Sequence, residues 1–199
     1  MAKLVATKGN LLALKQSLKF AKNGFELLDR KRNVLIKEMM SLNEQVQKIR
    51  YKIVEKYQEA YDHLEDTNIS LGVIEDIAES IAIENSVKIT YRSIMGVEIP
   101  NVIIDDADLR LEYGFEFTNS RFDQTYILFS EVKALTIALV EVDTSLYRLA
   151  NAIRKTQKRA NALKNISIPS MEENIKFIND SLEEKEREEF IRLKMIKKR

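Results

Sequence analysis

Apolar residues recur at alternating intervals of three and four along the first part of the chain, from Leu11 to Ile53. Twelve of the thirteen positions are apolar, and Arg32 is the exception. A repeat that averages 3.5 residues over six heptads is typical of a coiled-coil seam. The sequence therefore predicts a long N-terminal helix packed on a partner. The positions are Leu11, Leu14, Leu18, Ala21, Phe25, Leu28, Arg32, Leu35, Met39, Leu42, Val46, Ile49 and Ile53.

A second series of the same kind predicts a long C-terminal helix. It resumes beyond Pro169, which has no amide hydrogen and disfavours helix at the residue before it. We therefore predict a kink near 167–170. The series contains Leu128, Val132, Leu135, Leu139, Val142, Leu146, Leu149, Ile153, Thr156, Ala160 and Leu163, then Met171, Ile175, Ile178 and Leu182, and finally Phe190 and Leu193.

Between these series the apolar period changes to two, which predicts strands. One predicted strand covers Val87–Tyr91 and another Leu109–Phe117. The run Ile94–Pro100 supplies turn residues, and we take Met95, Gly96, Val97 and Pro100 as the hairpin residues. A lone hairpin is marginally stable in water, so its apolar face is expected to lie on the helices.

Together these patterns predict a mainly α fold. The N- and C-terminal helices form a long antiparallel two-helix coiled coil, with a small β-hairpin at the end distal to the termini. The expected divisions are 1–85 for the first helix, 86–118 for the hairpin element and 119–199 for the second helix, within one elongated domain. The central seam contacts are expected at Leu14, Leu18, Phe25, Leu28, Leu35, Leu42, Leu135, Leu139, Leu146, Leu149 and Ile153.

Composition supports long helices, because 199 residues include only 5 Gly and 2 Pro. The chain has no Cys, which excludes disulfides and thiolate metal sites. The most apolar stretch, Ile127–Val140, is interrupted by Glu131 and Lys133. It is too short and too charged to span a bilayer, so no direct membrane insertion is expected.

The net charge of +1 hides an uneven distribution. Residues 1–37 carry 9 basic and 2 acidic side chains, a net charge of +7. Residues 38–144 carry 9 basic and 21 acidic side chains, a net charge of −12, and residues 145–199 carry 14 and 8, a net charge of +6. In an antiparallel pair the two basic segments meet at one tip. That tip fits an acidic protein partner, although simple solvated helix faces and a phosphate-backbone site are alternatives.

Candidate catalytic chemistry is scarce. His63 is the only histidine and falls near the seam, which favours a packing role. Asp105, Asp106 and Asp108 lack the Gly and the terminal Glu of a calcium loop, so a solvated acidic loop is favoured. The sequence therefore predicts no catalytic residue, no cofactor and no metal. From the residues alone, a free-standing antiparallel coiled-coil scaffold and a nucleic-acid-binding helical arm remain alternatives.

Specific motifs then favour one family. Four motifs occur in order along the whole chain. They are the segment Thr7–Lys15, the turn Ile94–Pro100, the block around Asn161-Ala162-Leu163 and Ile168-Pro169, and the charged run Glu183–Glu189 before Arg192-Leu193-Lys194. Together they resemble the D subunits of the V-type and A-type rotary ATPases. The resemblance implies a non-catalytic central-stalk rotor in a complex that couples ATP synthesis or hydrolysis to proton or sodium transport.

The resemblance also implies partners and a location. These are the A and B subunits of the catalytic head, the small F subunit of the stalk, and a funnel subunit that links to the membrane ring, with no nucleic acid. The chain is then cytoplasmic and peripheral to the membrane. We expect the acidic stretches Glu55–Glu84 and Glu131–Asp143 to hold the F subunit, and the hairpin to have a regulatory or assembly role. The head-contacting tip is expected to comprise Lys8, Lys15, Lys19, Lys22, Arg187, Arg192 and Lys194.

Overall fold

The computed structural model describes residues 5–81, 87–104, 113–116 and 118–197. Helix α1 is Lys8–Leu71, and the short α2 is Glu75–Glu79. Strands β1, Val87–Ile94, and β2, Val97–Ile104, form an antiparallel two-stranded sheet. Helix α3, Ser120–Ala162, continues through a π-helical turn, Leu163–Ser167, into α4, Ile168–Lys197. The predicted mainly α class, with two long helical stretches and a central hairpin, is confirmed.

Polar side chains and glycine set the ends of the helices. The Thr7 hydroxyl accepts the amide of Asn10 at 3.2 Å, which caps the first turn of α1. Asn119 caps α3 in the same way, since its Oδ1 accepts the amide of Phe122 at 3.0 Å. At the other end of α1, Gly72 has φ = +82° and its amide donates to the carbonyl of Asn68. This left-handed conformation suits glycine, and it ends the helix there.

The chain divides into two compact units, each described separately below. The terminal unit contains Met1–Val34 and Ile153–Arg199, and the central unit contains Leu35–Ala152. The terminal unit has 21 basic and 10 acidic side chains, a net charge of +11, whereas the central unit has 11 and 21, a net charge of −10. The charge asymmetry in the sequence is therefore a difference between two structural units. The three-part division at 1–85, 86–118 and 119–199 stays a prediction.

In the terminal unit, side-chain contacts establish an antiparallel helix pair. Lys8 and Lys22 of α1 pair with Glu186 and Glu172 of α4, and Arg32 donates to Gln157 of α3. Residue numbers therefore rise along one helix as they fall along the other. The predicted seam positions from Leu11 to Arg32 are half-buried, and Thr156, Ala160 and Ile178 on the opposite side are buried.

The central unit repeats this antiparallel arrangement. Arg50 pairs with Asp143, the Tyr57 and Thr136 hydroxyls are 3.3 Å apart, and the Thr67 and Thr125 hydroxyls are 2.9 Å apart. Apolar seam residues form its core: Leu35, Leu42, Val46, Ile53, Ala60, Val132 and Leu149 are all buried. The remaining seam residues of this unit, Met39, Ile49, Leu128, Leu135, Leu139, Val142 and Leu146, are half-buried.

The position of the second strand was predicted wrongly. The turn contains only Met95 and Gly96, and the second strand is Val97–Ile104, with Tyr91 opposite Pro100. Residues 109–112 and 117 lie outside the described part of the chain, and Tyr113–Glu116 are bends and turn rather than strand. Pro100 misled the prediction because proline usually ends a strand. In a two-stranded sheet each strand has an outer edge, where a missing amide breaks no hydrogen bond.

The burial of the hairpin also differs from expectation. Val87, Ile89 and Tyr91, the alternating apolar residues of β1, are 42%, 59% and 58% exposed. The buried residues are instead on β2, where Ile99 is fully buried and Pro100 is buried as well. The hairpin is thus attached through β2, and the apolar residues of β1 remain exposed.

Beyond Ile53 the sequence has further apolar residues at a similar spacing, Ile69 and Val73, but these do not extend the seam. Ile69 and Val73 are 74% and 84% exposed, because α1 ends at Leu71 and Thr67 takes the last buried position. Phe190 and Leu193 of α4 are 67% and 66% exposed. A π-helical turn, Leu163–Ser167, precedes the position of the predicted kink, and α4 begins at Ile168, one residue before Pro169. The kink near 167–170 itself stays a prediction.

Candidate functional site

The end of the terminal unit combines surface cations with a length of α4 that pairs with no helix of the described residues. Lys8 stands in the first turn of α1, and its Nζ lies 2.8 Å from Oε1 of Glu186. This hydrogen bond raises the pKa of Lys8 and lowers the pKa of Glu186. From Glu186, α4 continues to Lys197. Its continuation exposes Phe190, Ile191, Leu193, Met195 and Ile196, each by more than half of its surface.

The seven predicted tip cations all lie on the surface of the terminal unit, and they differ in their partners. Lys22 forms a 2.7 Å ion pair with Glu172, and Arg187 and Arg192 pair at 3.8 and 3.6 Å with glutamates one turn earlier on α4. Lys15, Lys19 and Lys194 are exposed and form no ion pair with any described residue. Solvated cations of this kind can be offered to an acidic partner without first breaking an internal contact.

Arg32 forms a polar crossing within the apolar seam of the terminal unit. Its Nη1 donates to Oε1 of Gln157 at 2.9 Å, and its Nη2 lies 2.6 Å from Oδ1 of Asp29. Gln157 in turn donates to Asn161 at 2.7 Å. The sequence identified Arg32 only as a break in the pattern. Polar Gln157 and Asn161, four residues apart and beside the opposite seam, were the signal for a partner.

The central unit presents an acidic surface with exposed aromatic groups. Lys56 is held between Glu59 at 2.9 Å and Glu131 at 3.1 Å, and these hydrogen bonds raise its pKa. Nearby, Tyr51, Val54 and Tyr61 of α1 are 79%, 66% and 57% exposed, and the Tyr61 ring meets the edge of Phe129. Val54 and Tyr61 also line a shallow groove, together with Tyr57, Gln58 and Asp62. Their spacing forms a second apolar stripe that the sequence analysis missed.

Two side chains of α3 fix the hairpin within the central unit. Glu141 accepts the Val102 amide at 3.2 Å, and Arg148 donates to the Glu98 carbonyl at 3.1 Å. The Arg148 guanidinium also lies 5.2 Å from the centre of the Tyr91 ring. The hairpin residues Met95 and Gly96 both have positive φ, which is the geometry of a tight two-residue turn. Both α3 contacts were missed, although each residue adjoins a seam position.

The candidates for metal or acid–base chemistry gain no support. His63 is half-buried, and its backbone carbonyl, not its ring, accepts hydrogen bonds from Thr67 and Thr125. Asp105, Asp106 and Asp108 lie outside the described residues. Within the described ranges no cluster of three or more His, Cys, Asp or Glu side chains is placed to hold a metal ion.

Tyr113 has a pKa raised to about 12, by burial and by its hydrogen bond to Asp123.

None of the helices in the described ranges combines the length and the apolar content that crossing a bilayer requires. The long helices of this chain are instead amphipathic, with their apolar residues on the seam.

Comparison with known proteins agrees with this architecture. The family model for the D subunit of ATP synthase matches residues 10–198. The chain is 40% identical to the D subunit of the V-type ATP synthase of Thermotoga neapolitana, over 97% of this chain and 96% of that protein. It is 36% identical to the D subunit of the A-type ATP synthase of Pyrococcus horikoshii, over 98% and 94%, and 34% identical to that of Methanopyrus kandleri, over 96% and 84%. The chain belongs to the family of ATP synthase D subunits.

Proposed function

We propose that this chain is the central-stalk rotor shaft of a V-/A-type ATPase. In that role it transmits torque between ATP hydrolysis or synthesis in a hexameric head of A and B subunits and an ion-translocating membrane ring. The chain itself is non-catalytic. It works on the cytoplasmic side, peripheral to the membrane, and binds the small F subunit of the stalk together with a funnel subunit that links it to the ring.

The observation that carries this proposal is the continuation of α4 beyond Glu186. Phe190, Ile191 and Leu193 are exposed there, beyond the point where Lys8 in the first turn of α1 meets Glu186. Exposed apolar residues of this size are stabilised by burial in a partner. A ring of subunits that surrounds the helix would cover all its sides, and the exposed Lys15, Lys19 and Lys194 of the same unit would face acidic loops of that ring.

The helix pair also suits transmission of torque. Twisting the two helices apart would expose seam side chains such as Leu35 and Leu149, both fully buried. Each such side chain contributes about 1.5–3 kcal/mol through burial. Because a two-helix shaft is asymmetric in cross-section, each of three catalytic sites would meet a different face. Each orientation would then favour a different nucleotide state through differential contact.

The central unit is the proposed seat of the F subunit. Its net charge of −10 and the exposed stripe of Tyr51, Val54 and Tyr61 suit an amphipathic partner helix with basic flanks. The hairpin is proposed to act in regulation or assembly rather than in tight coupling to the head. Val87 and Ile89 on its β1 strand are exposed, which suits contact with a regulatory or assembly partner.

The proposal is tested by charge reversal in the assembled complex. Lys15, Lys19 and Lys194 are changed together to Glu, and rotation and ATP-driven ion transport are measured. The same three residues changed together to Arg, which keeps the three positive charges, are the matched control. The tip variant should lose torque and coupling, while the control retains both. Full torque in the tip variant would exclude charge contacts with the head, and failure of the unaltered chain to recover a head hexamer would favour a free-standing scaffold.

A further inference from the structure

The π-helical turn between α3 and α4 contains one residue more than an α-helical turn. The amide of Ile168 donates to the carbonyl of Leu163, five residues earlier, whereas an α-helix bonds to the fourth. The turn covers Leu163–Ser167, and the helices on both sides of it are regular.

The apolar seam changes step at the same place. Before the turn, buried positions alternate by three and four residues through Thr156, Ala160 and Leu163. After it, the same alternation continues from Ile168. The irregular interval is the step of five between the apolar residues Leu163 and Ile168, since the half-buried residue between them, Ser167, is polar. The positions that follow are Met171, Ile175, Ile178 and Leu182, all buried or half-buried.

An unbroken α-helix could not keep both parts of this series on one face. One extra residue rotates everything after it by about 100°, which would carry Ile175 and Ile178 off the seam. On the opposite side, the α1 series passes through Phe25 and Ala21 without any irregular step. The extra residue on one helix therefore has no counterpart on the other, and the helix must absorb it locally.

Contacts within the terminal unit place the turn directly against α1. A Cβ added at Gly24 would lie 3.9 Å from Cδ1 of Leu163, and Nζ of Lys164 lies 5.9 Å from the centre of the Phe25 ring. Asn165 and Ile166 point away and are exposed. The extra residue thus bulges to the solvent side while Leu163 and Ile168 keep their places on the seam.

Pro169 also favours a π turn at this place. In a regular α-helix its ring would clash with the carbonyl of Asn165, and a wider turn relieves that clash. A proline, however, does not explain why the apolar residues after the turn occur one position later in the sequence than the heptad spacing requires. The step of five is an independent property of the sequence, and it calls for an extra residue whether or not a proline is present.

We propose that the turn Leu163–Ser167 is a one-residue insertion that keeps α4 in phase with α1, and that Asn165 is dispensable for their packing. This inference concerns the chain itself and does not rest on the rotor function. Removing Asn165 should give one continuous heptad series, with Ile168 four residues after Leu163. The register at Lys8 and Glu186 should stay as it is.

The experiment uses the full chain, which has no cysteine, with Lys8→Cys and Glu186→Cys as a cross-linking pair. A short bifunctional maleimide reports whether the two positions still face each other. Pro169→Ala is included throughout, so that a continuous helix carries no proline clash. Three forms are compared: Pro169→Ala alone, Pro169→Ala with Asn165 deleted, and Pro169→Ala with an alanine inserted after Asn165.

The first two forms should cross-link equally, and the deletion should slow amide exchange of residues 163–168 because α-helical hydrogen bonds replace the π turn. The insertion should lose the cross-link and lower the Tm, since no further residue can be absorbed. Loss of the cross-link on deletion would overturn the proposal. So would an insertion variant that cross-links as well as its parent.

Discussion

The ammonium of Lys8 and the carboxylate of Glu186 lie 2.8 Å apart and join the first turn of α1 to α4. Both side chains are largely exposed, at 79% and 61%. Water and salt therefore screen the pair, and its contribution to stability is small. Its value is positional, because it marks the register of the two helices at the end of the terminal unit where α1 begins.

This ion pair predicts a defined pH dependence of stability. The pKa of Glu186 is lowered below 4.5, so its contribution is present above that pH and is lost as the pH falls through the folded value. The pKa of Lys8 is raised above 10.5, so its contribution is present below that pH and is lost as the pH rises through the folded value. The Tm difference between the parent chain and Lys8→Gln should thus be positive near pH 7 and shrink as the pH falls below 4.5 through the folded pKa of Glu186. A difference that stays constant across the acid range would contradict the assignment.

Arg32 offers a test of the polar crossing in the seam. Replacing a whole buried ion pair by apolar side chains is often neutral or stabilising, whereas removing one partner leaves the other charge unpaired. Arg32→Leu removes only the partner of Asp29, but its side chain still fills the seam, so it should lower the free energy of unfolding measured in urea by less than Arg32→Ala does. Arg32→Ala should lower it by about 1–3 kcal/mol, because Gln157 loses a charged donor and the seam loses packing. Arg30→Ala, an exposed neighbour, is the control and should have little effect. A Leu variant that is less stable than the Ala variant would contradict this account.

Gly24 is a mid-helix glycine with room for a side chain. A Cβ there would meet Cδ1 of Leu163 at 3.9 Å, an ordinary van der Waals distance. Gly24→Ala should therefore raise the free energy of unfolding by about 0.5–1 kcal/mol, since glycine weakens a helix interior by that amount. Gly72→Ala should lower it by about 1–2 kcal/mol, because the φ of +82° at Gly72 strains an L-residue. Thermal and urea unfolding of both variants measure whether the free energy of unfolding rises or falls. A Gly72→Ala variant more stable than its parent would refute the strain argument.

The seam could be predicted from the sequence because it is a repeated, local signal. The same spacing of apolar residues recurs throughout Leu11–Ile53, so one polar residue in the series, Arg32, does not hide the period. The antiparallel pairing followed from the need of each seam for a partner. The end of α1 was harder to place, because Ile69 continues the apolar pattern whereas Gly72 ends the helix. A single backbone conformation there overrides the periodicity.

The hairpin and the surface contacts depend on information that the pattern does not carry. The turn at Met95 and Gly96 requires a methionine in the left-handed region, which residue preference would not suggest. The attachment of β2 depends on Arg148 and Glu141, whose partners are mostly backbone atoms and so leave no sequence signature. The tip cations followed from charge and family resemblance, and their role stays a prediction.

The last prediction separates folding from function by comparing buried and exposed apolar side chains. Leu149 is fully buried in the central unit, so Leu149→Ala should lower the free energy of unfolding of the isolated chain by about 2–5 kcal/mol. Leu193 and Phe190 are about two-thirds exposed. Changing both to Ser should leave the Tm of the isolated chain unaltered, because the chain itself does not bury them.

In the assembled complex the same pair should matter most. If the head buries both side chains, their loss removes about 3–6 kcal/mol of binding energy, or about 10²–10⁴ in Kd. Tyr147→Ser, which removes an equally exposed aromatic side chain from the central unit, is the control and should leave head binding unchanged. Binding of the chain to the purified head, measured for the parent, the double variant and the control, decides the matter. Equal affinity of the double variant and its parent would show that the continuation of α4 lies outside the head. The chain would then have to bind the head through its charged side chains alone.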